Sequence, residues 1–313
     1  MSNIFGPVFP IIPSYTVTGS LDIDRTAAYA RHLNVKGATT VMTTSGTSQF
    51  NLLSAQEILA LNASVANVFP GRLILGLPQL SESLLFPLLE ETTSRHKRAA
   101  LLLSYPERLY QFSDIVDFFT RISRAFPLAQ LYLHGLPLRS GCRAGTQDFT
   151  GQMISAITEV VPQFVGMKEE CSTYEAGFKL CAAITTRREF ELIVAGGSMR
   201  RFLLLQAAGA QSFLTGVGSL FPEVELSFYD HVINGRLREA ASIISHVETP
   251  VFDTFMDVGW HKALRHAGKR LALVSDAERL PMTNLDDTAA RRVDAALDLA
   301  RERIEMLRQD HII

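Results

Sequence analysis

Eight short apolar runs, each followed by turn-forming or small polar residues and then by a segment with helical spacing, constrain this chain more than any other feature. The runs cover residues 8–12, 38–43, 72–77, 99–104, 130–134, 163–168, 191–195 and 211–215. Leu52, Ile58, Leu59 and Leu61 give the helical spacing after the second run, and Leu84, Leu85, Leu88 and Leu89 give it after the third. Strands that alternate with helices imply parallel βαβ units. Eight such units predict an α/β fold, a closed (β/α)8 TIM barrel, rather than an open sheet. An open doubly wound sheet usually carries a glycine-rich phosphate turn after its first strand, and Ile11-Ile12-Pro13-Ser14-Tyr15 is not one.

Beyond Glu223 the chain reads as helical. Residues 224–233, 236–246, 251–267 and 288–309 carry apolar residues at three- and four-residue spacing, with Gly235 and Gly268 where helices would stop. This exceeds what an eighth barrel unit needs. We therefore expect a barrel core over residues 1–222, and the last barrel helix with a C-terminal helical extension over 223–313. The 313 residues, 47% hydrophobic and 20% charged, suffice for a large core. A net charge of −2 gives no bulk attraction to nucleic acid or to an anionic membrane. No apolar stretch is long enough to span a bilayer. The first residues, Met1-Ser2-Asn3-Ile4-Phe5-Gly6-Pro7, show no secretory pattern. Cys142, Cys171 and Cys181 are an odd number without metal-type pairing, so reduced thiols and a cytoplasmic location are expected.

The chemistry of such a barrel lies at the C-terminal ends of its strands. The sixth run ends in Lys168, followed by Glu169 and Glu170. An amine delivered there is partly desolvated, which disfavours its ammonium form, and a neutral amine attacks ketones to form a Schiff base. The alternative is a lysine that snorkels toward water or toward Glu169. The second run ends in Thr43-Thr44-Ser45-Gly46-Thr47-Ser48-Gln49-Phe50. Hydroxyls and backbone N–H groups in this order suit a carboxylate, or form a plain N-cap cluster. His134, at the end of the fifth run, suits proton transfer near neutral pH or a structural role. Arg139 suits a bidentate grip on a carboxylate, or a surface salt bridge. Gly196-Gly197-Ser198 and Gly216-Val217-Gly218-Ser219 leave open rims where backbone approaches a ligand. A lysine nucleophile, a carboxylate nest and a proton carrier together fit a 2-oxo acid. The ketone forms an iminium with Lys168, and the iminium acts as an electron sink for making or breaking an adjacent bond.

Four segments, in this order and on these strand ends, resemble the dihydrodipicolinate synthase / N-acetylneuraminate lyase family of class I aldolases. Val165-Gly166-Met167-Lys168-Glu169 resembles the family's Schiff-base strand. Ser45-Gly46-Thr47-Ser48-Gln49-Phe50, with Leu53 and Glu57, resembles its carboxylate-binding motif. Tyr132 to Gly141 resembles the Y-N-x-P-x-R-T-G segment, and Gly209 to Glu223 resembles G-A-D-G-x-I-S-G-x-x-N-x-x-P-E.

The resemblance implies a barrel with a C-terminal helical domain, a homotetramer built as a dimer of dimers, and no metal or organic cofactor. It implies a lyase that forms a Lys168 imine with pyruvate or another 2-oxo acid, with an aldehyde as a second substrate. Thr47, with backbone at Gly46 and Ser48, would bind the carboxylate. Arg139 would select an acidic or polar second substrate. Leu214 and Gly196 would flank the adduct. The chain also departs from the family. His134 stands where the family has its catalytic tyrosine, so the tyrosine–threonine–tyrosine relay is not intact, and Tyr105 is left to supply the remaining phenol. Imidazole and phenol differ in pKa and reach. The departures keep open loss of water or ammonia from a 2-oxo sugar acid. They also keep open a barrel that binds a carboxylate without turnover.

Overall fold

The computed structural model describes residues 6–77, 80–106, 111–136, 138–139 (backbone), 146–184 (146–147 backbone) and 190–313. Eight strands form one parallel sheet in chain order: β1 (Val8–Pro10), β2 (Thr40–Met42), β3 (Arg72–Leu77), β4 (Ala100–Leu103), β5 (Gln130–Gly135), β6 (Phe164–Glu169), β7 (Glu191–Val194) and β8 (Ser212–Phe213). A parallel bridge between Val8 and Leu214, with Thr215 N donating to Val8 O at 2.9 Å, brings the last strand back to the first. The eight apolar runs are thus the eight staves of a TIM barrel.

Alternation along each strand divides the core in two. Val8, Met42, Ile74, Leu102, Tyr132 and Ile193 belong to a compact cluster inside the barrel. Their strand neighbours, such as Phe9, Val41, Leu75, Leu101, Leu133 and Leu192, join a larger cluster that runs between the sheet and the helices. The N-terminal end of the lumen is closed by a polar plug. Arg72 donates to both oxygens of Glu191 at 3.0 and 2.7 Å and to Tyr132 Oη at 2.6 Å. Gly166 makes room for it, because a Cβ there would stand 2.6 Å from the Tyr132 ring and 2.5 Å from Glu191 O.

Helices α1 (Ile23–Val35), α2 (Ala55–Val68), α3 (Glu82–Arg95), α4 (Phe112–Ala125), α5 (Gly151–Val160), α6 (Tyr174–Ile184), α7 (Ser198–Leu205) and α8 (Pro222–Ile233) follow the strands in turn. Four more complete the chain: α9 (Leu237–Ile243), α10 (Thr249–Val258), α11 (Trp260–Arg270) and α12 (Asp287–Gln309). Gly235, at φ +74°, ends α8 as expected. Two expectations are corrected. The single helix predicted over 251–267 is two helices, split at Gly259, whose φ of +102° no helix accommodates. Gly268 does not stop a helix; it lies inside α11, where a Cβ would stand 3.0 Å from Val274 Cγ2, so it serves close packing.

α12 buries Val293, Leu297, Ala300, Ile304 and Leu307, a stripe at three- and four-residue spacing. Buried Arg265 of α11 ties the extension to the end of β1. It donates to Pro13 O at 2.5 Å, pairs with Glu278, and lies 5.0 Å over the Tyr15 ring. Among the described residues, no helix is long and apolar enough to cross a membrane.

Candidate active site

Parallel pairing of β5 and β6 sets His134 directly beside Lys168, both facing the lumen. Side chains two residues apart on a strand share a face, and Glu170, just past the strand, follows Lys168. Lys168 Nζ stands 2.8 Å from His134 Nε2 and 2.9 Å from Glu170 Oε2, and His134 Nε2 stands 2.9 Å from the same oxygen. Ser104, at the end of β4, holds the other ring nitrogen, Nδ1, at 3.1 Å. Lys168 is 2% exposed and His134 3%.

Lys168 therefore does not pair with Glu169. That carboxylate has the opposite parity and faces the helices, where it accepts from Arg201 at 3.1 and 2.5 Å and from Cys171 N at 2.7 Å. Buried charges need such partners; Glu169 and Glu170 satisfy two cations on two faces of one strand.

Burial, and then the Lys168 charge, push the His134 imidazole down to about 4, against the pull of Glu170. The ring is therefore neutral near pH 7. For Glu170, burial works against ionisation, but the Lys168 charge and the contacts with His134 and Lys168 outweigh it and hold the carboxyl below its usual range. Nε2 meets both Lys168 Nζ and the Glu170 carboxylate, so it accepts from the lysine when bare and donates to Glu170 when protonated. Moving one proton across the 2.8 Å contact leaves Lys168 a free amine and His134 an imidazolium facing Glu170.

Lys168 and Glu170 open into a cavity of about 290 Å³ at the C-terminal end of the barrel. Its rim is the backbone expected from the sequence: Gly46 and Thr47 after β2, Gly196 and Gly197 after β7, Leu214 and Gly216 after β8. The turn after β2 is tight. Thr44 and Gln49 both adopt positive φ, Ser48 N donates to Ser45 O at 3.0 Å, and Gln49 N donates to Gly46 O at 2.9 Å. The N–H groups of Gly46 and Thr47 have no partner among the described residues. The Ser45 and Ser48 hydroxyls are buried and likewise unpartnered there. A Cβ on Gly46 would meet nothing within 4 Å. Tyr15 Oη donates to Gln49 Oε1 at 3.2 Å and so fastens the far side of the turn.

The remaining expected residues lie elsewhere. Ser48 does not line the cavity, and its N–H is used within the turn. Tyr105 is buried against Phe149, with Oη donating to Leu136 O at 3.2 Å, and does not line the cavity. His134 reaches the cavity only through Lys168 and Glu170. The side chain of Arg139, and Cys142, lie outside the described residues.

Sequence reading missed Glu170, although its parity with Lys168 was a usable signal. It also missed Phe252 and Met256 of α10, Trp260 of α11 and the adjoining His261, which close the cavity from the C-terminal helices. No local pattern marks a helix residue as facing a distant strand end.

Comparison with known proteins agrees with this architecture. Among solved structures, the 4-hydroxy-tetrahydrodipicolinate synthase of Methylacidiphilum fumariolicum SolV is similar, with a TM-score of 0.86 at 18% identity over 99% of both chains. The sialic acid aldolase of Ruminococcus gnavus has a TM-score of 0.83 at 15% identity, covering 96% of this chain and 99% of that one. YagE, a prophage protein of the dihydrodipicolinic acid synthase family from E. coli K12, solved in complex with pyruvate, has a TM-score of 0.82 at 15% identity, covering 95% and 99%. At these identities the likeness shows the fold alone. No curated protein matches the sequence. Residues 3–300 match the dihydrodipicolinate synthetase family. The chain therefore belongs to the dihydrodipicolinate synthetase family and is an enzyme of the lyase class.

Proposed function

We propose that this enzyme forms a Schiff base between Lys168 and pyruvate or a related 2-oxo acid, and makes or breaks the carbon–carbon bond beside it. The observation that carries this reading is the mutual contact of Lys168, His134 and Glu170 at 2.8–2.9 Å, opening into a cavity that the Gly46–Thr47 turn also lines. The unpartnered N–H groups of Gly46 and Thr47, with the Thr47 hydroxyl, would hold the carboxylate. Backbone N–H groups at such a turn favour an anion.

The Lys168 ammonium passes a proton to His134 only transiently, because burial makes the ring a weak base, and Glu170 offsets the imidazolium while it lasts. The free amine adds to the ketone, and loss of water leaves an iminium. Loss of a proton from the adjacent carbon to Glu170, the carboxylate that lines the cavity, gives an enamine. Its carbon attacks an aldehyde, whose oxygen takes up a proton, and water then releases Lys168. Aldol cleavage runs the same steps backward. The role expected of His134 alone is thus divided: Glu170 meets the reacting carbon, and His134 positions and discharges Lys168. The lysine itself supplies the electron sink, so the reading needs no cofactor. With the family resemblance it carries a homotetramer, checked by sedimentation. With buried thiols at Cys171 and Cys181, the reading places the enzyme in the cytoplasm.

The test is intact mass and peptide mapping after incubation with pyruvate and borohydride. We expect a reduced pyruvyl adduct on Lys168, and none in Lys168→Ala. An unlabelled protein, or a label on another lysine, overturns the reading in favour of a barrel that binds without turnover. Product analysis then separates aldol cleavage, which releases pyruvate, from loss of water or ammonia, which leaves the skeleton whole.

A further inference from the structure

The cavity has two unlike walls. One is the polar floor of Lys168, Glu170 and the Gly46–Thr47 turn. The other comes from the C-terminal helices and is built of Phe252, Met256 and Trp260, with Leu214 between the two walls. The aromatic wall is held in place. Phe252 and Trp260 pack with ring centroids 5.2 Å apart, and Phe255 backs Trp260 at 5.7 Å. Arg200 lies 4.5 Å over the Phe252 ring, and its charge is engaged by Asp253 at 3.0 Å and Glu248 at 3.6 Å. Trp260 reaches the barrel rim because residue 216 is glycine: a Cβ there would stand 3.3 Å from Trp260 Cη2. Besides Lys168, His261 is the one lining side chain among the described residues that can carry a positive charge, whereas Glu170 is an anion.

We infer that the aromatic wall selects an uncharged apolar group, aryl or alkyl, on the substrate beyond its 2-oxo-acid end, and disfavours a second carboxylate. The inference rests on the Lys168 reading for the placement of the first end. An aryl group against Phe252 and Trp260 removes apolar surface from water and meets aromatic faces in offset or edge geometry. A second carboxylate there would lose hydration with no fixed cation among the described lining residues beyond Lys168 to replace it, and would face the charge of Glu170. This is the opposite of the preference expected from Arg139.

Trp260 is the chain's single tryptophan, so fluorescence reports on this wall alone. The full-length protein is titrated with 2-oxo-4-phenylbutanoate and with 2-oxoglutarate, following Trp260 emission. In parallel, borohydride labelling of Lys168 by pyruvate is measured. We expect the phenyl compound to saturate the signal at a concentration at least tenfold lower than 2-oxoglutarate. Met256 is 58% exposed, so Met256→Lys should fold. It should erase or reverse that preference. Equal or reversed preference in the wild type, or a Met256→Lys variant with the wild-type ratio, overturns the inference while pyruvate labelling upholds the Lys168 reading. Loss of pyruvate labelling in the wild type overturns the Lys168 reading instead.

Discussion

At the scale of single residues, the chemistry turns on which glutamate faces Lys168. Glu169 and Glu170 are neighbours in the chain, but a strand sends them to opposite faces. One neutralises Arg201 outside the barrel and the other meets Lys168 and His134 inside it. Glu170→Gln keeps the shape and removes the charge. His134 then has no counter-ion when it takes the lysine proton, and the cavity has no carboxylate to accept one from carbon. We expect kcat to fall by about 10²-fold, the scale of a lost general acid–base group. KM for the 2-oxo acid should stay within a few-fold, because the Gly46–Thr47 turn is untouched. A raised KM with unchanged kcat would make Glu170 a binding group and remove it from proton transfer. Lys168 and His134 were legible in the sequence because each ends an apolar run. Glu170 was legible in principle from parity. That His134 stays neutral was not, since it follows from burial beside a cation on another strand.

At the scale of elements, the turn after β2 is shaped by a glycine on its neighbour. A Cβ on Gly76 would stand 2.5 Å from Thr43 O, 2.5 Å from Thr44 Oγ1 and 2.6 Å from Thr44 O. Gly76 O in turn accepts from Thr44 Oγ1 and from Asn62 Nδ2. Gly76→Ala therefore pushes on backbone that has no room to yield. Overpacking of this kind costs about 1–3 kcal/mol, and for a chain this long that lowers Tm by several degrees. We expect KM for the 2-oxo acid to rise as well, because the displaced turn presents Gly46 and Thr47. Gly46→Ala, with open space around its Cβ, should melt near wild type. A Gly76→Ala protein with unchanged Tm and KM would show that the turn adapts freely. The strands themselves were plain from apolar runs bounded by turn residues. The breaks among the C-terminal helices were not: Gly259 and Gly268 look alike in sequence, and only packing shows that one ends a helix while the other lets Val274 approach.

At the scale of the whole molecule, the eighth strand end, α7 and the C-terminal helices meet around two buried carboxyls. Glu225 of α8 accepts through Oε1 from Ser198 Oγ at 3.1 Å, Gly216 N at 3.0 Å and Gly218 N at 2.7 Å, while its Oε2 is buried without a hydrogen-bond partner among the described residues. Glu248, between α9 and α10, caps α7 by accepting from Met199 N at 2.9 Å and Arg200 N at 3.2 Å. Burial pushes Glu225 up to about 7 despite those donors, and burial with the Glu225 charge pushes Glu248 up to about 8. The unfolded chain releases a glutamate proton near 4.5, whereas the folded chain keeps that of Glu225 until about 7. The folded state thus binds the extra proton in that window, and stability falls as pH rises through it. At 1.36 kcal/mol per pKa unit, the loss attributable to Glu225 has an upper bound of about 3 kcal/mol. Glu225→Gln resembles the protonated acid, keeps an oxygen for the three donors, and takes a charge away from Glu248. In urea melts across pH 5 to 9 we expect the variant to match wild type at the acid end and to exceed it increasingly toward the alkaline end. Parallel profiles would mean that Glu225 ionises in the folded protein much as it does in the unfolded chain. The rim formed by Gly216, Gly218 and Ser198 would then not depend on a neutral carboxyl behind it.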